Sequence, residues 1–309
     1  MAGKTARVET GTWPTGWVEA PAEVDRILGG MQHPVFGVAA TSIEDSGKGK
    51  VVLLHKALLS VMPGWRSHEQ TIGDCVSHGW GLGIDVLKAV QVVAGAREQW
   101  TGETATEIVY AASRVEVGRG RLGNGDGSIG AWAAEAVGPE SVGTLVRGKY
   151  DGLDLTTYSG ATAKRLGGPR AGVPDALEPK AREHPVKTRS LVRNYAEARD
   201  AIANGYPVPV CSNRGFASRR DAKGFAKPSG SWAHCMLFLS VDDADGRPGL
   251  LCQNSWPPGW ISGPLRHDQP EGSFWCDAEV VDRMLSENDS FAMSGYVGYP
   301  AQELDFTGL

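Results

Sequence analysis

The sequence predicts an α+β fold of two lobes. In the first half, apolar residues recur at steps of three and four, the period of helices that bury one face. The second half carries short β-rich apolar runs separated by turn residues. Between the two, residues 151–188 are rich in glycine, proline and charge and poor in apolar side chains, which reads as a long surface connection. Helices first and strands second is an α+β pattern.

Taken in order, the stretch from Thr10 to Trp17 is turn-rich, and Glu23 to Leu28 fits one or two helical turns. Val51 to Met62 is apolar, but its period does not choose between helix and strand. Residues 75–96 form the clearest helix. Val76, Trp80, Leu82, Gly83, Val86, Leu87, Val90 and Val93 share a face, and Asp74 is a good N-cap type. A second helix is predicted from Thr104 to Val117, opened by a capping box of Thr104 and Glu107. A third covers Ser128 to Val137, after the glycine-rich turn Gly123 to Gly127. Tyr195 to Asn204 is a short helix stopped by Gly205. Strands follow at Pro207 to Cys211, His234 to Val241 and Gly249 to Gln253, with a turn from Asp242 to Arg247 between the last two.

Composition removes several classes of function. The 309 residues carry a net charge of −5, with no basic excess for nucleic acid and no like-charge tail. No apolar run reaches the roughly 18 residues of a membrane span. Met1 to Thr12 is polar and shows no secretory signal, so a cytoplasmic or virion-associated location is expected. Five widely spaced cysteines do not suggest a disulfide framework; free thiols are expected. No cofactor or metal is predicted. Cys235 beside His234 lacks further ligands at sensible spacing, and Gly123 to Gly127 lacks a complete calcium or phosphate-loop pattern.

Three residues carry the chemistry. Cys75 sits at the first turn of the predicted helix, where the helix dipole and free backbone N–H groups favour a thiolate. His234 opens an apolar strand, and Asn254 ends the next one. An antiparallel pair joined by a turn brings those ends together, so that an amide oxygen fixes the imidazole's tautomer and orientation.

Together these pieces resemble the papain family of cysteine peptidases. The resembling residues are Trp65-Arg66, Gln70-Thr-Ile-Gly-Asp-Cys75, Ala233-His234, and Asn254-Ser-Trp256 with Gly259-Trp260; the likeness spans about residues 65–300. It implies a two-lobed papain-like fold, with a helical left lobe from about 65 to 185 and an antiparallel β-rich right lobe from about 186 to 309. Residues 1–64 would form an N-terminal arm packed on this core or on a neighbouring subunit. It also implies a thiol peptidase acting on a peptide or protein substrate, with no nucleic acid and no membrane as partner. Cys75 would be the nucleophile, His234 its acid–base partner, Asn254 the orienter and Trp256 a shield over the Asn–His contact. An oxyanion-hole glutamine, worth about 3 kcal/mol in related enzymes, would be Gln70.

The pattern also departs from the family. Glu69 stands at the family glutamine's usual spacing, which leaves Glu69 and Gln70 as alternatives, with Gln70 favoured because a carboxylate cannot donate. Ile72 replaces a disulfide cysteine, Val76 an aromatic residue, and Pro257-Pro258 a glycine. His78 is read as a solvated helix residue. No partner is argued for His33, His55, His68, His184 or His267. The absence of a signal and of the usual propeptide pattern resembles intracellular and virion-associated members from bacteria and bacteriophages. The alternative function is therefore a structural or binding protein, such as a bacteriophage virion component, that keeps the fold with weak or no catalysis. A transglutaminase-like acyl transferase would want Asp in place of Asn254.

Overall fold

The computed structural model describes residues 13–95, 99–244, 246–306 and 308–309. Met1 to Thr12, with the start of the turn-rich stretch, and Ala96 at the predicted end of the long helix lie outside the described residues. The chain begins with α1 (Pro21–Leu28) and the single turn α2 (Phe36–Ala39). Strand β1 (Val51–Leu53) then runs straight into α3 (Leu54–Val61). The apolar stretch that sequence period left undecided is thus half strand and half helix. Residues 13–64, expected as an arm, are woven into the core: Val24, Ile27, Phe36, Ile43, Leu54 and Leu58 are all buried.

The first lobe holds α4 (Cys75–Val93), α5 (Thr106–Ala111) and α6 (Gly130–Ala136). The helix expected over Thr104 to Val117 is split. After α5 the backbone widens into a π-helical turn, Ala112–Val117. The expected capping box is not made. Thr104 turns its hydroxyl to Asp85 Oδ1 at 2.7 Å, and Glu107 pairs with Arg147 at 3.2 Å. Tertiary partners have outcompeted the local cap.

Residues 151–188 are also more structured than composition suggests. A hairpin of β2 (Lys149–Tyr150) and β3 (Leu153–Asp154) leads to α7 (Gly160–Leu166) and α8 (Glu178–Ala181). Leu155, Ala163, Leu166, Val173 and Ala181 are buried. A few apolar side chains at the right places fasten an otherwise polar segment to the lobe.

The second lobe contains β4 (Thr188–Leu191), α9 (Tyr195–Ala203), β5 (Val208–Arg220), β6 (Ala226–Asp242), β7 (Gly249–Gln253), β8 (Ser273–Asp277), α10 (Ala278–Leu285) and β9 (Phe291–Ser294). Its main sheet is antiparallel, in the order β1-β6-β7-β8, with β5 also paired to β6. β4 and β9 form a separate antiparallel pair. β6 is longer than expected because its hairpin with β5 continues, through register shifts, to Arg220 and Ala226. His234 therefore lies inside the strand and not at its mouth. Gly79 lets α4 lie close to β6: a Cβ there would stand 3.0 Å from Cys235 Sγ and from the Met236 carbonyl oxygen. Among the described residues, no helix is long and apolar enough to cross a membrane.

Candidate active site

Helix α4 and strand β6 bring the two lobes' chemistry together. Cys75 is the first residue of α4, and its Sγ accepts the Cys235 backbone N–H at 3.4 Å. Cys235 follows His234 in β6, so the thiol lies against the strand at the residue after His234. His234 Nε2 is 2.8 Å from Asn254 Oδ1, and the Ser255 backbone N–H donates to the same oxygen at 2.7 Å. That second donor marks the atom as an acceptor. Nε2 must then carry the ring proton, and a neutral His234 keeps its lone pair on Nδ1, which has no partner. Trp256 packs over the ring with centroids 4.8 Å apart, and Trp232 closes the wall behind Trp256 at 4.6 Å. Cys75 and His234 are fully buried.

Gln70 is buried and Glu69 is exposed. Gln70 is fixed from behind: its side-chain oxygen accepts the Ser255 hydroxyl, and its backbone N–H donates to the Ser255 carbonyl at 2.9 Å. Its Nε2 donates to the Ile72 and Pro14 carbonyls, both at 3.0 Å.

That last partner belongs to the N-terminal arm, whose path along the chain's own site the sequence did not specify. Residues 13–18 run as a strap through the cleft between the lobes. The Pro14 carbonyl accepts from Gln70 and from Trp256 Nε1, the latter at 2.9 Å. The Gly16 N–H donates to the Ala233 carbonyl at 3.1 Å and also faces the Cys75 sulfur. Across the cleft, the Ser128 N–H donates to the Gly16 carbonyl at 2.8 Å, and the Val18 N–H to the Ser128 carbonyl at 2.9 Å. Trp17 and Ser128 thereby form a parallel β-bridge. Backbones meet so closely that only glycine fits. A Cβ on Gly16 would stand 1.9 Å from the Gly73 carbonyl oxygen, and one on Gly73 would stand 2.6 Å from the Thr15 carbonyl oxygen. In the sequence these glycines read only as turn residues.

The strap changes the electrostatics. Burial pushes the Cys75 thiol well above its usual range; Cys235 and Asp74 add to the rise, and the Cys235 and Gly16 N–H groups oppose it. Burial pulls His234 down to about 4, against the Asn254 hydrogen bond, with His78 lowering it further. The expected thiolate is therefore not the form of this closed state: desolvation outweighs the helix terminus, leaving a thiol and a neutral imidazole.

His78 is buried, not solvated. Its ring packs edge-on to Tyr158 at 4.7 Å, and its Nε2 is 3.5 Å from Asp74 Oδ2. Asp74 does not cap α4 with its side chain; Oδ2 accepts the Tyr158 hydroxyl at 2.9 Å. The four-residue spacing of Asp74 and His78 on one helix was the available signal.

Helix α1 anchors the strap. Glu23 accepts from Arg121 at 2.7 Å, Trp132 Nε1 at 2.9 Å and Arg26 at 3.0 Å. The Arg121 bond leads in holding its carboxyl down at about 2, with Trp132 and Arg26 contributing and burial opposing. A depressed carboxylate stabilises the docked form above its ordinary value of 4.5 and loses that contribution as pH falls towards 2. Glu23→Gln is expected to speed amide hydrogen exchange across residues 21–28 at pH 6 by about three- to tenfold. In the wild-type chain the protection factors of the same amides, taken relative to intrinsic exchange at each pH, should fall between pH 5 and pH 2.5. Unchanged protection in both cases would mean that Glu23 does not hold α1 down.

The two-lobed fold, with a long helix starting at Cys75 packed against an antiparallel sheet, is that of the papain-like cysteine proteases. The chain is similar to xylellain, a cysteine protease from Xylella fastidiosa, with a TM-score of 0.53 over 95% of this chain and 96% of that one at 13% identity. It is similar as well to proCathepsin B S9 from Trypanosoma congolense, with a TM-score of 0.52 over 94% and 87% of the two chains at 8% identity. No family model matches the sequence, and no curated protein does. At such identities the likeness is one of fold.

Among the described residues, no group of three or more His, Cys, Asp or Glu side chains could hold a metal ion. All five cysteines are free and buried.

Proposed function

We propose that this protein is a thiol peptidase, hydrolysing peptide amide bonds through Cys75, His234 and Asn254, and that its own residues 13–18 hold it closed. The carrying observation is the pairing of His234 Nε2 with Asn254 Oδ1, with the sulfur of a helix-terminal Cys75 on the N–H of the residue after His234 and a peptide carbonyl already bound by the Gln70 amide. Once the strap leaves, water and substrate reach the cleft. His234 Nδ1 takes the Cys75 proton, and the sulfur attacks the substrate carbonyl carbon. Gln70 Nε2 donates to the oxygen that gains charge. The imidazolium then protonates the leaving amine, and water, activated by His234, releases the acyl group from sulfur. Trp256 keeps solvent off the His234–Asn254 bond and so strengthens it.

The test is labelling of the full chain by a peptidyl epoxide from pH 5 to 8, read by peptide mass spectrometry, beside hydrolysis of fluorogenic peptides. Modification confined to Cys75 and dependent on His234 supports the peptidase. A protein that neither labels nor hydrolyses after the strap is displaced is not one. One observation favours the second reading, a binding or structural protein that keeps the fold: the cleft is filled by the chain itself, and Cys75 is fully buried. The same experiment separates the two. Asn254→Ala should lower kcat/KM by about 10- to 100-fold, since a lost orienter leaves the acid–base group in place. A loss exceeding that of His234→Ala would contradict the orienting role.

A further inference from the structure

Trp17 enters the cleft one residue beyond the atom that faces the nucleophile, and its side chain is not merely packed. Its indole N–H donates to Asp289 Oδ2 at 2.7 Å. Asp289, with 2% of its surface exposed, lies in the loop between α10 and β9; burial pushes its carboxyl up to about 7, and the Trp17, Gly130 and Ala131 N–H groups oppose that rise by favouring the carboxylate. It is held rigidly: the Gly130 N–H donates to Oδ2 at 2.7 Å and the Ala131 N–H to Oδ1 at 2.6 Å. A cavity of about 350 Å³ adjoins this pair, walled on one side by residues between Trp17 and Leu28, Val24 among them, and on the other by Leu191 and residues 286–289, Glu287 and Asp289 among them. Trp17 leaves with the strap; the apolar wall of Val24 and Leu191 and the carboxylates of Glu287 and Asp289 stay. Glu287 is already engaged by the backbone and side-chain N–H groups of Asn213, at 2.9 and 2.8 Å. Asp289 is thus the group left with an acceptor site facing the place a side chain would occupy.

We propose that Asp289 is a specificity-determining residue, forming with Leu191 a side-chain pocket that selects N–H donors: the indole of tryptophan, or the cationic heads of arginine and lysine. The chain's own Trp17 is the ligand that shows the fit. An apolar ring of equal size that cannot donate would leave the buried carboxylate without its partner, and that is where strong discrimination arises. The inference rests on the proposal that the strap fills a substrate cleft, but its test does not need catalysis.

The experiment measures binding to the full chain carrying Gly16→Val, which displaces the strap, and Cys75→Ala, which prevents turnover. The probe is a synthetic peptide of residues 13–18. Its tryptophan equivalent to Trp17 is kept or replaced by 1-methyltryptophan, phenylalanine, leucine or arginine. Tryptophan and arginine peptides are expected to bind at least about tenfold tighter than the 1-methyltryptophan and leucine peptides, as for one lost hydrogen bond to a charged group. Asp289→Asn should erase that difference while leaving the leucine peptide's affinity nearly unchanged. The comparison of tryptophan with 1-methyltryptophan uses the unmutated pocket, so it stands even if Asp289→Asn fails to fold. Equal affinities for that pair, or no binding by any peptide, overturn the proposal. Selective binding without hydrolysis by the Cys75-containing protein would sink the peptidase and keep the pocket; hydrolysis without selectivity would do the reverse.

Discussion

Cys75→Ala is expected to lower peptide hydrolysis by about 10⁴-fold or more, in the wild-type chain and in any strap-displaced variant. The size follows from the roles. Without sulfur there is no acyl intermediate, and what remains is only what a bound carbonyl and the Gln70 donor can give to water. The fold should survive, because Cys75 is a small side chain at a helix start and its removal leaves only a small gap. A melting-temperature shift within about 3 °C would be consistent with that. His234→Ala should cost nearly as much, since thiol and base act as a unit, and it should also abolish epoxide labelling of Cys75 below pH 7. Activity retained by either variant would place the chemistry elsewhere.

The second large effect runs in the opposite direction. Gly16→Val is expected to raise the rate of Cys75 labelling at pH 7 by about 100-fold or more. A Cβ at this position would sit 1.9 Å from the Gly73 carbonyl oxygen, far inside contact distance, and the obstacle is backbone that cannot rotate aside. The strap must lift, taking with it the Pro14 carbonyl on Gln70 and the Gly16 N–H on the sulfur. Water then returns to Cys75 and His234. The desolvation that raises the thiol's pKa and lowers the imidazole's is relieved, and the thiolate–imidazolium form becomes accessible. Labelling in Gly16→Val no faster than in wild type would mean that the strap does not control access.

What was legible in the sequence was what lies close along the chain or follows from strand pairing. The helical period after Cys75 gave α4, and the turn between β6 and β7 was enough to set His234 beside Asn254. Gln70 was preferred to Glu69 on donor chemistry and a one-residue shift in spacing; Gln70 is buried and Glu69 is exposed. The rest was hidden because it depends on distant partners. Thr104 and Glu107 fit a capping box, yet Asp85 and Arg147 claim them. His78 looked solvated because Tyr158, which covers it, is far away in sequence. Nothing local in Trp13 to Val18 announces an extended segment paired with Ser128 and Ala233, and nothing in Asp289 announces that Trp17 will sit on it.

The strap and the cleft belong to one chain, and this has a kinetic consequence. A plug tethered through a few residues competes at an effective concentration on the order of millimolar, whatever the protein's own concentration. Dilution therefore cannot open the cleft, and an external ligand of micromolar intrinsic affinity would be masked by a large factor. A single chain break alters the arithmetic. Glu19 is exposed, between the strap and α1. Once the backbone is cut there, the competitor becomes a separate peptide whose local concentration falls to that of the bulk. Closure would pass from a concentration-independent equilibrium to one that dilution carries towards the open form.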